Sequence, residues 1–201
     1  MQFDEVLRRR AMVRAFDSES IDAEVLARVL ASATRAPSAG HSQAVDLLAL
    51  VGVAETQRYW GITLEPERRA TFAWPGLLAA PVLIVVCVDP SIYVDRYGEA
   101  DKARTGLGAG VDAWPVPYWF VDAGMAIENI LLAAVSAQLG ACFFGVFDHE
   151  DAVRAAFGIP SQVRTVGVVA LGHPEAAPQP PGRSARRTRR EPGDVVHRGR
   201  W

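Results

Sequence analysis

Residues 119–140 read WFVDAGMAIENILLAAVSAQLG. Apolar side chains fall on nearly every side of the helix that this stretch predicts, and such a helix must be surrounded by protein. A chain of 201 residues has few other elements to provide that cover, so a second copy of the chain is its natural source. The sequence therefore predicts a central helix over residues 119–140, ended by Gly140, in a homodimer.

The size and composition of the chain favour a single domain. Half of the 201 residues are apolar and 22% are charged, which suits one sizeable core. The apolar stretch over residues 123–139 is short for a membrane span and contains Glu128, Asn129 and Gln138. The first ten residues show no apolar core of a signal peptide. We interpret residues 1–201 as one domain of a cytoplasmic protein that does not bind membranes.

The charge of the chain is distributed unevenly. Residues 183–201 contain seven arginines against two acidic residues, a net charge of +5, and because the whole chain carries −2, the preceding 182 residues carry −7. The acidic body and the lack of any nucleic-acid-binding motif beside the arginines argue against nucleic acid as a partner. We interpret residues 173–201 as an extended C-terminal arm, either simply solvated or used to bind an anion.

Several site types are disfavoured by spacing. Cys87 and Cys142 lie inside apolar runs without a Cys or His at ligand distance, and the four histidines are far apart, so we expect no metal site. The glycines over residues 106–110 lack the spacing and the strand-to-helix context of a dinucleotide fingerprint. No Ser, His and Asp set can be argued either. The sequence therefore assigns no catalytic side chain.

The periodicity of the remaining chain predicts alternating strands and helices. Asp22 is placed to cap a helix that Pro37 stops. The region over residues 89–117 has no steady period and is interpreted as a long excursion with at most local helix, a candidate lid. The predicted strands are 45–51, 81–88, 141–146 and 165–171, and the predicted helices are 25–33, 53–60, a short piece at 74–80, and 148–157, which Asp148 caps and Gly158 closes.

Two basic clusters and one polar turn suggest a phosphate site. Two guanidinium groups that converge on one dianion are a common way to hold a phosphate. Small polar residues at 38–43, here called the 38–43 turn, follow the first predicted helix. The first cluster is Arg8, Arg9, Arg10 and Arg14, and the second is Arg183, Arg186, Arg187, Arg189 and Arg190.

Five segments, in order along the chain, resemble the FMN-dependent nitroreductase family. They are RAMVRAF at 10–16, APSAGHSQ at 36–43, DAGM at 122–125 with LLAA at 131–134, LGACFFG at 139–145, and GHP at 172–174 followed by the arginine-rich arm. Each segment alone is a weak signal, but five in order over almost the whole chain are a strong one.

The resemblance implies a fold and an activity. The fold would be α+β and nitroreductase-like, with a mostly antiparallel central sheet flanked by helices, in an intertwined homodimer with two FMN sites at its interface. The activity would be an oxidoreductase that passes electrons from NAD(P)H to a nitroaromatic, quinone or similar small-molecule acceptor by a ping-pong mechanism. Because the flavin carries the redox step, no catalytic acid or nucleophile is required of the protein.

The resemblance also implies which residues bind the cofactor. Arg9 and Arg10 would meet the FMN phosphate together with an arginine of the arm, and Arg14 could stabilise the anionic reduced flavin. Met12, where the family often has Ser, would offer its backbone N–H, and His41 stands where the family often has Asn. The remaining cofactor assignments are Pro37, Ser38, Ala39 and Gln43, with Ser38 and Ala39 along the ring from the other subunit, Phe144 and Gly145 near its redox edge, and Arg187, Arg189 or Arg190 at the phosphate.

The aromatic stretch before the central helix suggests a substrate side. Trp114, Tyr118 and Trp119 could form a wall on which flat acceptors stack. Packing of these rings before the central helix is the alternative interpretation.

Two further interpretations of the whole chain stay open. One is a specialised biosynthetic enzyme of the same family, catalysing a dehydrogenation or a fragmentation of the flavin. The other is a non-enzymatic module that binds flavin, or binds nucleic acid through the arm.

Overall fold

The computed structural model describes residues 1–176, 182 and 187–201. Arg183 and Arg186 of the second basic cluster lie outside these residues. The helices are α1 (Phe3–Arg9), α2 (Ala23–Ala33), α3 (Val53–Thr63), α4 (Pro66–Arg69), α5 (Pro90–Gly98), α6 (Tyr118–Ser136) and α7 (Glu150–Phe157), and the strands are β1 (Val45–Val51), β2 (Val82–Val88), β3 (Gly140–Phe144) and β4 (Arg164–Gly172).

Within the described residues the strands form one antiparallel sheet in the order β1-β2-β4-β3. Strand β2 is buried along its whole length because it lies inside the sheet and both of its faces are covered. Its side chains alternate between two clusters, with Ile84 and Val86 on one face and Leu83 and Val85 on the other. This arrangement confirms the α+β class and the antiparallel sheet.

Helices cover the two faces of the sheet differently. Helices α2 and α6 pack on the first face, and α3 and α7 pack on the second. The start of α2 is as the sequence predicted, because the Asp22 carboxylate accepts the N–H groups of Glu24 and Val25, each at 3.0 Å. Alternation of apolar side chains along the strands therefore produces a core on each side of the sheet.

The central helix α6 is shorter than the sequence predicted. It ends at Ser136, and Gln138 takes a left-handed backbone with φ of +61°. Gly140 does not end the helix as predicted, because the chain has already turned and Gly140 is the first residue of β3. Of the described helices, α6 alone is long and apolar enough to cross a membrane, a test that core helices of soluble proteins also pass. Here its buried face packs on the sheet.

The other face of α6 carries apolar groups without cover in the single chain. Ala123, Ala126, Ile130 and Ala134 lie against the sheet and are at most 1% exposed. The opposite side carries Val121, Gly124, Met125 and Leu132, here called the apolar stripe, with the exposed Glu128 as the one charged residue among them. Val121 is 43% exposed.

The local helices differ in detail from the sequence predictions. The 89–117 region contains local helix, as the sequence allowed: Asp89 accepts the N–H of Ser91 at 2.9 Å and starts helix α5. Helix α7 begins after a short 3-10 turn, so its cap position is His149 and not Asp148. Helix α1 was not predicted. Gly158, with φ of +68°, does close α7 as expected.

Candidate active site

The first arginine-rich segment lies directly beside β3. Met12 pairs with Ala141 in a parallel bridge, and the Val13 N–H donates to the Ala141 carbonyl at 2.9 Å. The Phe143 N–H points at the Met12 sulfur at 3.4 Å. This close approach requires Gly140, because a Cβ there would lie 2.8 Å from the Val13 side chain. Met12, where the family often has Ser, thus ties the arginine-rich segment to the sheet edge.

A cavity of about 310 Å³ opens where this segment passes the end of β3. Its walls are mainly aromatic, and Trp60 stacks on Phe144 with ring centroids 5.6 Å apart and an interplanar angle of 17°. We call it the aromatic cavity; its lining includes Arg14, Tyr59, Trp60, Phe72, Trp74, Phe144, Gly145 and Phe147. Three residues assigned from sequence to the cofactor, Arg14, Phe144 and Gly145, therefore meet at one place.

The charge in the aromatic cavity comes from Arg14. Its guanidinium carbon lies 5.1 Å from the centroid of the Trp74 ring, and its Nη1 donates to the Met12 carbonyl at 3.1 Å. A cation stacked on an aromatic ring is held by the ring's negative face. Burial raises the pKa of the neighbouring Cys142 thiol, and the Arg14 charge opposes that rise. Flat apolar walls with one fixed cation fit a planar aromatic group that has hydrogen-bond acceptors or negative charge along one edge.

The 38–43 turn has an unusual backbone. Gly40, His41 and Gln43 all have left-handed φ values, of +61°, +59° and +51°. The Gln43 N–H donates to the Ser38 hydroxyl at 3.1 Å, and the His41 N–H donates to the Ser38 carbonyl at 2.9 Å. Left-handed backbone at a residue other than glycine is costly and persists only where surrounding contacts enforce it, which is common at binding sites.

Two helices supply those contacts. The buried carboxylate of Asp122 in α6 accepts the Ala39 N–H at 2.8 Å and the Tyr93 hydroxyl at 2.7 Å. From α5, Arg96 Nε donates to the Gly40 carbonyl at 2.8 Å. Burial, and then the bond to Asp122, raise the pKa of Tyr93, so its hydroxyl remains a donor. If the Asp122 carboxylate or the Tyr93 hydroxyl lost its partner, the unpaired buried group would lower the free energy of unfolding by about 1–3 kcal/mol.

The 38–43 turn and the aromatic cavity are separate in the single chain, because the cavity lies in the core on the α3 face of the sheet and no residue of the turn is among its lining. The turn is bonded to Asp122 near the start of the helix, whereas the arginine-rich segment packs on Gly140 just beyond its end. At 1.5 Å per residue, the helix from Asp122 to Ser136 spans about 21 Å between the turn and the end of α6. A single chain therefore does not bring the turn residues to Arg14.

The residues of the turn line two cavities of their own. Pro37, Ser38 and Gln43 line a small one of about 120 Å³ together with Asp122, here called the Ser38 cavity. Ala39 lines another of about 540 Å³, here called the Trp114 cavity, with Trp114 and Tyr118 among its walls. His41 is exposed on the turn between them.

The other sequence-assigned residues lie elsewhere. Arg9 lines a cavity of about 470 Å³ beside Val13 and Gly140, and its guanidinium pairs with Glu5 at 2.6 Å. Arg10 points toward α6, with Nε 3.8 Å from Glu128 Oε1.

Trp119 and the described arginines of the arm do not line the aromatic cavity. Trp119 is only 7% exposed and contacts the rings of Tyr93 and Trp114 in the core, which matches the packing interpretation. Arg190 donates to the Asp194 carbonyl within the arm. Arg187 and Arg189 are exposed.

Comparison with known proteins decides the family. The model of the Nitroreductase family matches residues 7–173, more than four-fifths of the chain. The chain belongs to the nitroreductase family. This nitroreductase-family chain is 28% identical to a relative from Archaeoglobus fulgidus, with 83% of this chain and 82% of the relative covered. The name of that relative is a provisional one, NADH dehydrogenase/NAD(P)H nitroreductase.

Two relatives with specific names match nearly the full chain. A 4-nitrobenzoate reductase of Nocardioides sp. is 31% identical, with 96% of this chain and 87% of the relative covered. A 5,6-dimethylbenzimidazole synthase of Rhodospirillum rubrum is 32% identical, with 97% and 93% covered. The structure of a nitroreductase family protein from Streptococcus pneumoniae TIGR4 superimposes with a TM-score of 0.71 at 19% identity, with 99% of this chain and 100% of that chain covered. These matches confirm the nitroreductase fold.

Sequence reasoning missed two residues of this nitroreductase-family site. Trp74 carries no motif of its own, and only the folded chain places it under Arg14. Asp122 lay within a segment assigned to the dimer helix, although a carboxylate in so apolar a helix signals a buried partner. Among the described residues no group of three or more His, Cys, Asp or Glu side chains is arranged to hold a metal ion.

Replacing Gly40 with alanine tests how tightly the turn is held. A Cβ at this position would lie 2.7 Å from the Tyr97 ring, and φ is +61°. We expect the substitution to lower the free energy of unfolding by about 1–3 kcal/mol, measured by urea denaturation. Gly52→Ala is the matched control, because Gly52 also has positive φ, +84°, but faces open space. Equal losses in the two variants would show that the Tyr97 contact contributes nothing.

Proposed function

We propose that this protein is an FMN-dependent oxidoreductase that passes electrons from NAD(P)H to a nitroaromatic, quinone or similar acceptor by a ping-pong mechanism. Membership of the nitroreductase family supports the oxidoreductase class. The 4-nitrobenzoate reductase and NAD(P)H nitroreductase names of relatives support the acceptor and the reductant. The name of a further relative, the FMN reductase (NADPH) of Bacillus subtilis, supports a flavin.

One observation carries the proposal. The aromatic cavity presents Arg14 and flat rings, and the 38–43 turn lies outside it, at the start of α6. In the proposed dimer the turn of one copy would meet the aromatic cavity of the other. The apolar stripe on the outer face of α6 supports such a contact, because it would otherwise stay in water. The assembly that we propose is therefore a homodimer with two FMN sites.

The protein's part in the reaction is binding and electrostatics. When bound, FMN would supply the chemistry of hydride and electron transfer. Arg14 provides a fixed positive charge beside the ring system, and the backbone of Phe144 and Gly145 lies at the cavity wall. The aromatic walls exclude water from the ring. Arg9, Arg10 and the arginines of the arm are the candidates for the phosphate.

The Trp114 cavity is the candidate for the acceptor. Ala39 of the 38–43 turn forms part of its wall, so a molecule there would lie beside the turn that faces the flavin of the other subunit. Tyr118, 44% exposed, offers ring surface on which a flat acceptor would stack, beside the largely buried Trp114. We place the protein in the cytoplasm, with neither nucleic acid nor membrane as a partner.

The test is an absorption spectrum of the purified protein, followed by FMN titration and an acceptor screen. We expect flavin bands in the visible range, and NADH or NADPH oxidation that is stimulated by nitroaromatics or quinones. A colourless protein that does not bind added FMN would overturn the proposal. The ratio of rates with NADH and NADPH would assign the reductant.

A specialised biosynthetic reaction is the second candidate. The 32% identity with the 5,6-dimethylbenzimidazole synthase over 97% of this chain favours it. Such an enzyme would bind FMN yet reduce general acceptors poorly. Mass spectrometry of products from reduced FMN in air distinguishes the two candidates.

A further inference from the structure

We propose that Asp122 is a positioning residue that sets the 38–43 turn in the conformation that contacts the flavin. The inference rests on the proposed function, because it assumes that the turn faces FMN. Asp122 itself touches no cofactor in this scheme. It acts through the Ala39 N–H, which it accepts at 2.8 Å across 83 positions of the sequence.

The surroundings of Asp122 argue for this role. The side chain is 2% exposed in a helix whose neighbouring inward positions are apolar, so burying its carboxylate is costly unless hydrogen bonds compensate. Its two donors are neutral groups, the Ala39 N–H and the Tyr93 hydroxyl. Tyr93 is completely buried, and its ring packs edge-on against Trp114 and Trp119. Asp122 thus connects the turn to an immobile part of the core.

The position of the bond explains why the turn depends on it. Asp122 lines the Ser38 cavity, and Ala39 lines the Trp114 cavity on the other side of the turn. The left-handed residues Gly40, His41 and Gln43 follow Ala39 directly. Arg96 holds the Gly40 carbonyl from the opposite side. Without the Asp122 bond the turn would keep one of its two anchors, and its start would be free to relax.

Asp122→Ala and Asp122→Asn separate positioning from bulk stability. Alanine removes the acceptor, and we expect FMN to bind about tenfold more weakly or worse. Asparagine keeps one carbonyl oxygen for both donors, so it should restore affinity to within about threefold of the wild type. Glu150→Ala is the matched control, because Glu150 is also a carboxylate that accepts a backbone N–H, that of Thr165 at 2.9 Å, but it joins α7 to β4 and bonds neither the turn nor α5. The control should lower stability and leave FMN affinity unchanged.

Hydrogen exchange without flavin gives a second readout. We expect the Ala39 amide to exchange at least about tenfold faster in Asp122→Ala than in Glu150→Ala, with Asp122→Asn close to wild type. Should the alanine variant fail to fold, Asp122→Ser serves in its place, since its shorter side chain reaches neither donor.

The outcomes distinguish the two proposals. Wild-type protein that binds no FMN would overturn the proposed function, while slow exchange of the wild-type Ala39 amide and fast exchange in Asp122→Ala would still support the anchor. The role of Asp122 would be overturned, and the proposed function kept, by a different result. In that result wild type and Asp122→Ala bind FMN equally well and protect the Ala39 amide equally well.

Discussion

Replacing Val121 with aspartate is expected to convert the protein into a folded monomer that binds no FMN. Val121 is 43% exposed in the single chain, so a carboxylate there stays solvated and the fold is retained. In the proposed dimer the same position would be covered, and burying an unpaired carboxylate costs several kcal/mol for each copy. Sedimentation velocity measures the mass, circular dichroism the fold, and FMN titration the site.

Val53→Asp is the control for this substitution. Val53 is 68% exposed at the start of α3, away from the apolar stripe, and its variant should remain a dimer that binds FMN. A Val121→Asp protein that stays dimeric with normal flavin affinity would contradict the proposed interface. A monomer that still binds FMN normally would contradict the shared site.

Replacing Arg14 with alanine should weaken FMN binding by about 1.5–3 kcal/mol, the range for loss of a hydrogen bond to a charged group. The loss should be larger for reduced than for oxidised FMN, because a nearby cation favours the more negative form. The midpoint potential of the bound flavin should therefore become more negative. Fluorescence titration and equilibrium redox titration measure the two effects.

Arg14→Lys and Arg28→Ala complete this experiment. Lysine keeps the positive charge but loses the planar group stacked over Trp74. We therefore expect Arg14→Lys to change the midpoint potential of the bound flavin less than it changes the affinity for FMN. Arg28 is exposed on α2, and its removal should change neither quantity. Wild-type affinity and potential in Arg14→Ala would exclude Arg14 from the flavin site.

Several elements could be predicted because their signals are local. The continuous apolar run that became β2 identifies a strand covered on both faces, and the spacing from Val25 to Ala33 with Asp22 before it identifies α2. Helix α5 could not be located within the 89–117 region because Tyr93 is its one buried residue, which leaves no periodic pattern to read. The start of α7 was misplaced because Asp148 and His149 both stand where a cap could lie, and backbone geometry alone decides between them.

The sequence by itself determined the family, the antiparallel α+β class and the candidates Arg14, Phe144 and Gly145, because motif order and apolar periodicity are properties of the chain alone. Only the tertiary structure decided that these three share an aromatic cavity with Trp74, that Trp119 is packed in the core, and that Asp122 anchors Ala39. The physical reason is that such contacts join residues distant in sequence. Their partners are chosen by the packing of helices on the sheet, and no spacing along the chain encodes that choice.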